Sequence, residues 1–211
     1  MPTRQPIRFH SAGLGLECEL TWPDGPALLG AVICHPHPLY GGDMRNNATL
    51  AIERVLLRHG VACLRFNFRG VGRSEGEHAG GEGEREDTRE ALAYLRAQPG
   101  LVGLPCGLGG FSFGGGVALA AAVDEPDLAF LVLVSPAARQ PSPGVDRIAA
   151  PKLIVGGGRD SAIPPDLLAA LAAHLHEPKK LVIVDSADHF WFGMEKLLED
   201  AIDGFLRESG L

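Results

Sequence analysis

No apolar stretch in the 211 residues runs longer than seven (117–123, 128–134 and 167–173), far short of the roughly 20 that a membrane span needs. The opening residues Met-Pro-Thr-Arg-Gln-Pro lack the apolar core of a secretion signal, so a cytoplasmic protein is the expectation. Positive charge is also short. Lys and Arg number 19 against 26 Asp and Glu, a net −7, which excludes the concentrated cationic field that nucleic acid binding requires. Cysteine is sparse and unpaired in sequence. Cys18, Cys34, Cys63 and Cys106 form no C-x-x-C, and three of them sit in or beside apolar runs, where a reduced thiol behaves as a small hydrophobe. No Gly-x-Gly pair is followed by a third Gly at dinucleotide-binding spacing. The pair His35-Pro36-His37 lacks the further ligands a zinc site needs close by. Neither a cofactor nor a metal is expected.

What is present is an alternation of short Val/Ile/Leu-rich runs with helix-period stretches, on a chain 45% hydrophobic and long enough for one domain over residues 1–211. That is the pattern of a mostly parallel sheet covered on both faces, an α/β fold. Strands are predicted at 16–22, 27–34, 61–67, 106–111, 128–134, 152–155 and 180–184. Helices are predicted at 46–59, 84–98, 113–123, 165–176 and 195–208. The turn residues Pro23-Asp24-Gly25-Pro26 predict an antiparallel hairpin between the first two strands. Polar, Gly-rich segments at 36–45, 69–83, 156–164 and 186–193 follow strand C-termini, where open α/β sheets gather ligands.

Gly110-Phe111-Ser112-Phe113-Gly114 matches G-x-S-x-G, a pattern of which about 0.14 copies are expected by chance in so glycine-rich a chain. Its setting carries more weight: an apolar strand precedes Ser112 and a helix-favouring run follows, the strand–turn–helix elbow that exposes a nucleophilic serine. A serine needs a base. His189 follows the last predicted strand and lies C-terminal to Ser112, whereas His174 and His176, two apart on a helix, face different ways. Asp160, after the strand 152–155, is the expected orienting acid, with Asp146 the runner-up. The oxyanion of acyl transfer wants two N–H donors. Phe113 N–H is one; the other is expected from Leu39 or Tyr40, since Pro36 and Pro38 have no N–H to give.

The segments HPHPLYGG (35–42), RFNFRGVGRSEG (65–76), GFSFG (110–114) and ADHF (187–190) together resemble the α/β-hydrolase superfamily along essentially the whole chain. They are closest in kind to small lidless bacterial serine hydrolases similar to dienelactone hydrolases. The resemblance implies an α/β-hydrolase fold with an eight-stranded or similar sheet, a Ser112–Asp160–His189 triad and esterase-type hydrolysis. Dienelactone hydrolases use a cysteine nucleophile; Ser112 at that place favours ordinary esters. Only 17 residues, 135–151, separate the strand at 128–134 from the next, too few for a cap domain, so an open site is expected. With Tyr40, Phe113, Phe190 and Trp191 near it, and Phe190 and Trp191 taken as substrate-binding, the expectation is a shallow apolar groove for short acyl chains. Thioesterase, peptidase and acyltransferase chemistry run on the same triad, and a non-catalytic binding protein is the alternative of another class. The expected partner is a small-molecule ester; a homodimer is left open.

Overall fold

The computed structural model describes residues 2–138 and 142–211. An eight-stranded sheet runs through the molecule, built from β1 (Thr3–Ser11), β2 (Leu14–Trp22), β3 (Leu29–Cys34), β4 (Val61–Phe66), β5 (Cys106–Phe111), β6 (Leu128–Val134), β7 (Lys152–Gly157) and β8 (Lys179–Val184) in the order β1-β2-β4-β3-β5-β6-β7-β8. From β4 to β8 every neighbouring pair is parallel; β1/β2 and β2/β4 are antiparallel. Five helices link the strands: α1 (Asn47–Arg58), α2 (Glu82–Arg96), α3 (Phe113–Ala122), α4 (Pro165–His174) and α5 (Glu195–Glu208).

The central strands β3, β4, β5 and β7 are buried at every position. They therefore read as largely apolar runs, as strands covered on both faces do, with the buried Arg65 in β4 and Lys152 at the start of β7 as the charged exceptions. Side chains alternate between two cores. Ala31 and Ile33 of β3 pack with Ile52 and Val55 of α1 and with Leu198, Ile202 and Phe205 of α5. Val32 and Cys34 face the opposite core, with Leu92 and Leu95 of α2, Val117 and Ala118 of α3 and Leu168 of α4. Between β6 and β7 the described residues form only a short 3-10 turn, Val145–Arg147, and no cap domain.

The expected hairpin between the strands at 16–22 and 27–34 is absent, because β4 lies between β2 and β3. Pro23-Asp24-Gly25-Pro26 reverses the chain, but turn residues do not choose which strand it lands beside. The both-faces-buried β3 pairs instead with two parallel partners, β4 and β5. The hairpin that does form is β1/β2, joined by Ala12 and Gly13 with φ of 49° and 82°. Positive φ at both turn residues is the geometry whose twist matches that of a two-residue hairpin. Strand β1 has no counterpart in the sequence reading: its first half is exposed on an edge, so it carries little apolar pattern.

All four cysteines are free and buried. Burial pushes Cys18 and Cys34 up to about 12, and raises Cys63 and Cys106 as well. Since the thiolate is the reactive form, a disulfide reagent at pH 8 should leave the native protein essentially unlabelled and titrate all four thiols only in denaturant. Rapid labelling of a native thiol would contradict this packing.

Candidate active site

Four loops at the C-terminal end of the parallel strands converge. The loop after β5 carries Ser112, that after β7 Asp160, that after β8 His189, and that after β3 the residues from His35 to Gly42. This is the edge at which open α/β sheets bind ligands.

Ser112 occupies a conformation few serines adopt, with φ 53° and ψ −118°. A non-glycine residue held at positive φ stores on the order of 1–3 kcal/mol and persists only where its surroundings over-determine it. Here they do. Ser112 N–H donates to Val134 O at 2.9 Å, while its carbonyl accepts from Gly116 and Ala137 N–H at 3.1 and 2.9 Å. The flanking glycines permit the turn: a Cβ on Gly110 would stand 2.3 Å from Gly114 O, and one on Gly114 would stand 2.3 Å from His35 O. The elbow thus packs directly against the end of β3.

Ser112 Oγ lies 3.0 Å from His189 Nε2, and His189 Nδ1 lies 2.8 Å from Asp160 Oδ2. The other carboxylate oxygen of Asp160 accepts the N–H groups of Ala162 and Ile163 at 2.9 and 2.7 Å. Burial by itself would raise the Asp160 carboxyl. The hydrogen bonds from His189 and Ile163, the His189 charge and the Ser135 hydroxyl together outweigh it and hold the group below the usual carboxylate range. Gly157 lets the β7 and β8 loops close, since a Cβ there would meet Ala187 O at 2.3 Å. Asp188 is turned away: its Oδ1 accepts from Phe190 and Trp191 N–H and shapes the loop. Asp146 is exposed in its 3-10 turn, with no bond to His189.

The loop after β3 departs from expectation. Its residues Pro38–Tyr40 form a 3-10 turn capped by the His37 side chain. Leu39 N–H donates to His37 Nδ1 at 3.2 Å, and Tyr40 N–H donates to His37 O at 3.1 Å. Both N–H groups singled out for the oxyanion are therefore engaged within the turn, and the Leu39 and Tyr40 side chains are exposed. The N–H groups of His37, in this loop, and of Phe113, at the first position of α3, have no acceptor among the described residues. The rings of those two residues lie 4.7 Å apart. Nothing local in the sequence marks His37, because which N–H of the loop stays free is decided by the turn that the His37 side chain caps.

The same loop is pinned by residues of the RFNFRG segment. His35 Nε2 accepts Phe68 N–H at 3.0 Å, so the ring's proton sits on Nδ1, which donates to Pro36 O at 2.6 Å. Both ring nitrogens are thus used internally. Asn67 Oδ1 accepts Met44 N–H at 2.9 Å, and the buried Arg65 donates to Met44 O at 2.6 Å and to Glu53 at 2.7 Å.

The loops enclose a cavity of about 490 Å³ lined by His37, Tyr40, Ser112, Phe113, Ile163 and His189, with Phe190 at its rim. Phe190 is 59% exposed and stacks on Phe192. Trp191, expected at the groove, is instead fully buried beneath it and lines no part of the cavity. The Asp188 turn sends Phe190 outward and Trp191 inward, where its indole N–H reaches Ser135 Oγ at 3.4 Å.

A serine elbow after β5, a carboxylate after β7 and a histidine after β8, on an eight-stranded sheet that carries no cap domain among the described residues, define a serine hydrolase of α/β-hydrolase architecture. The chain belongs to the α/β-hydrolase superfamily. A family model described as serine aminopeptidase, S33, matches residues 46–145. An uncharacterised protein of Rickettsia prowazekii is 31% identical over 212 residues, spanning 91% of this chain and 83% of its own. Among solved structures, an alpha-beta serine hydrolase homologue from Coxiella burnetii superposes with a TM-score of 0.88 at 31% identity, covering 96% of this chain and 97% of that one. An a/b serine hydrolase without lid from Xanthomonas campestris gives 0.88 at 27% identity, covering 99% and 96%. No described helix is long and apolar enough to cross a membrane.

Proposed function

We propose that the protein hydrolyses short-chain carboxylic esters through an acyl-enzyme on Ser112. The observation that carries this reading is the continuous relay Ser112 Oγ–His189 Nε2–His189 Nδ1–Asp160 Oδ2, at 3.0 and 2.8 Å, opening into the apolar-lined cavity. His189 takes the serine proton as Oγ attacks the ester carbonyl, and Asp160 holds the imidazole with Nε2 toward the serine. The N–H groups of Phe113 and His37 receive the oxyanion, because they are the donors the elbow and the β3 loop leave unused. His189 then protonates the leaving alcohol, and water repeats the sequence to release the acid.

The cavity also favours esters over N-terminal peptides, despite the description of the matching family model. An aminopeptidase must hold a free ammonium beside the scissile bond. No carboxylate stands among the described residues lining the cavity, and Asp160, bonded to the lining His189, is committed to that ring. A small phosphonylating inhibitor should therefore give a single adduct on Ser112 by mass spectrometry, absent in Ser112→Ala, and the unmodified protein should turn over butyrate esters faster than long-chain triglycerides. Folded protein that takes no adduct would point to a binding module instead.

A further inference from the structure

We propose that the Phe113 ring is a partition that limits the acyl chain, closing the catalytic cavity off from a second cavity behind it, so that this side chain sets chain-length specificity. The inference rests on the esterase reading above. The second cavity, of about 200 Å³, runs along α3, with Val117, Leu119 and Ala120 giving it an apolar side, Ala138 and Ser142 facing them, and Glu82 and Arg85 of α2 forming a charged margin. Phe113 and Ala137 line both cavities. Among the described residues the two spaces therefore share one wall, to which Phe113 contributes the large side chain.

The direction of the chain follows from the chemistry. His189 Nε2 must reach the leaving oxygen, which places the alcohol on the His189, Ile163 and Phe190 side of the cavity. The carbonyl oxygen points to the N–H groups of Phe113 and His37. The remaining arm of the tetrahedral carbon, the acyl chain, points along Ala137 toward the Phe113 ring. That ring is held there by neighbours on one side: His37 at 4.7 Å, His78 edge-on at 5.4 Å and Phe68 edge-on at 5.8 Å between centroids. His78 is itself fixed, its Nδ1 2.8 Å from the buried Glu84. An alkyl chain long enough to pass the partition would lie on the apolar face of α3, but only with the ring removed. The backbone N–H of residue 113 stays in place without the ring, since it is set by the elbow and the first turn of α3.

The test is a series of p-nitrophenyl esters from acetate to laurate, read as the octanoate-to-butyrate ratio of kcat/KM. A single methylene accommodated or refused by an apolar pocket changes this quantity by about 10-fold or more. Phe113→Ala should raise the ratio by at least about 10-fold, and Phe113→Leu by less. Ala120→Phe lines only the second cavity. Alone it should leave the ratio of the parent protein unchanged, and in the Phe113→Ala background it should return the ratio toward that value by refilling the space. A site merely loosened by the substitution would not respond to residue 120. An unchanged ratio in Phe113→Ala and Phe113→Leu, a shift that Ala120→Phe does not reverse, or a shift appearing instead when butyrate esters of lengthening alcohols are compared would each overturn the partition. If the parent protein hydrolyses esters in a Ser112-dependent way, those results leave the esterase reading standing. If it neither hydrolyses any ester nor takes the phosphonyl adduct, both fall together.

Discussion

Asp160→Asn should leave the protein folded and lower ester turnover by about 10,000-fold. The size of the effect follows from which oxygen does what. Oδ1 accepts two backbone N–H groups, from Ala162 and Ile163, and only an oxygen can occupy that place. In the amide, oxygen takes that position and the NH₂ is forced toward His189 Nδ1. An NH₂ is a donor, so Nδ1 must accept, and the ring proton moves to Nε2. Nε2–H then donates to Ser112 Oγ, from which it was to remove a proton. The base is present, correctly placed and in the wrong tautomer. Isosteric replacement keeps both loop hydrogen bonds, so the melting temperature should move by only a few degrees. Turnover within about tenfold of the parent would remove Asp160 from the orienting role. The exposed Asp146 is not placed to inherit it, since it makes no contact with His189.

The parts of this site legible in the sequence are those in which one residue type in a local pattern decides the outcome. Gly110 and Gly114 are dictated by backbones packed so closely that an added Cβ would stand 2.3 Å from a carbonyl oxygen, and that requirement leaves a direct signature around Ser112. The placing of Ser112, Asp160 and His189 after the ends of β5, β7 and β8 is likewise local, because each strand announces itself by an apolar run. What stayed hidden depends on partners distant in the chain. The 27–34 segment looks like half of a hairpin until β4, some 30 residues on, takes the place beside it. Trp191 and Phe190 are neighbours with equal aromatic character; only the Asp188 turn decides which faces solvent and which the core. Leu39 and Tyr40 are not free donors because His37 takes both N–H groups, that of Leu39 on its side chain and that of Tyr40 on its carbonyl. The RFNFRG segment shows the same principle from the other side. None of its residues lines the catalytic cavity, yet Arg65, Asn67 and the Phe68 N–H hold the loop that bears the His37 N–H, and the Phe68 ring packs edge-on against Phe113. A sequence records that segment as a motif without saying what it supports.

His35 gives that support a pH limit. Its ring is fully buried, and burial lowers its pKa to about 4, with only weak opposition from the Pro36 carbonyl and the charges of Asp43 and Glu84. The neutral form is also required by geometry, since Nε2 must accept the Phe68 N–H. In the unfolded chain the same histidine titrates near about 6.5. Between those values the unfolded state binds a proton that the folded state refuses, so stability rises with pH across that interval. The contribution is fully present above about 6.5 and is lost as pH falls to about 4, amounting to about 3 kcal/mol at the acid end. That is a large part of the stability of an ordinary domain. His35→Gln supplies an acceptor to Phe68 N–H but cannot be protonated, and it leaves the Pro36 carbonyl without its donor. At pH 7 the variant should be less stable by about 1–2 kcal/mol. Urea unfolding from pH 7 to 4.5 should then show the parent losing stability more steeply, so that the two curves converge. Carboxylates elsewhere titrate in both proteins and cancel from the difference. Parallel curves would mean that His35 is not held neutral in the folded state. Convergence would tie acid inactivation of the enzyme to the loop that carries the His37 N–H, because protonating Nε2 breaks the bond that anchors that loop to Phe68, just past the end of β4.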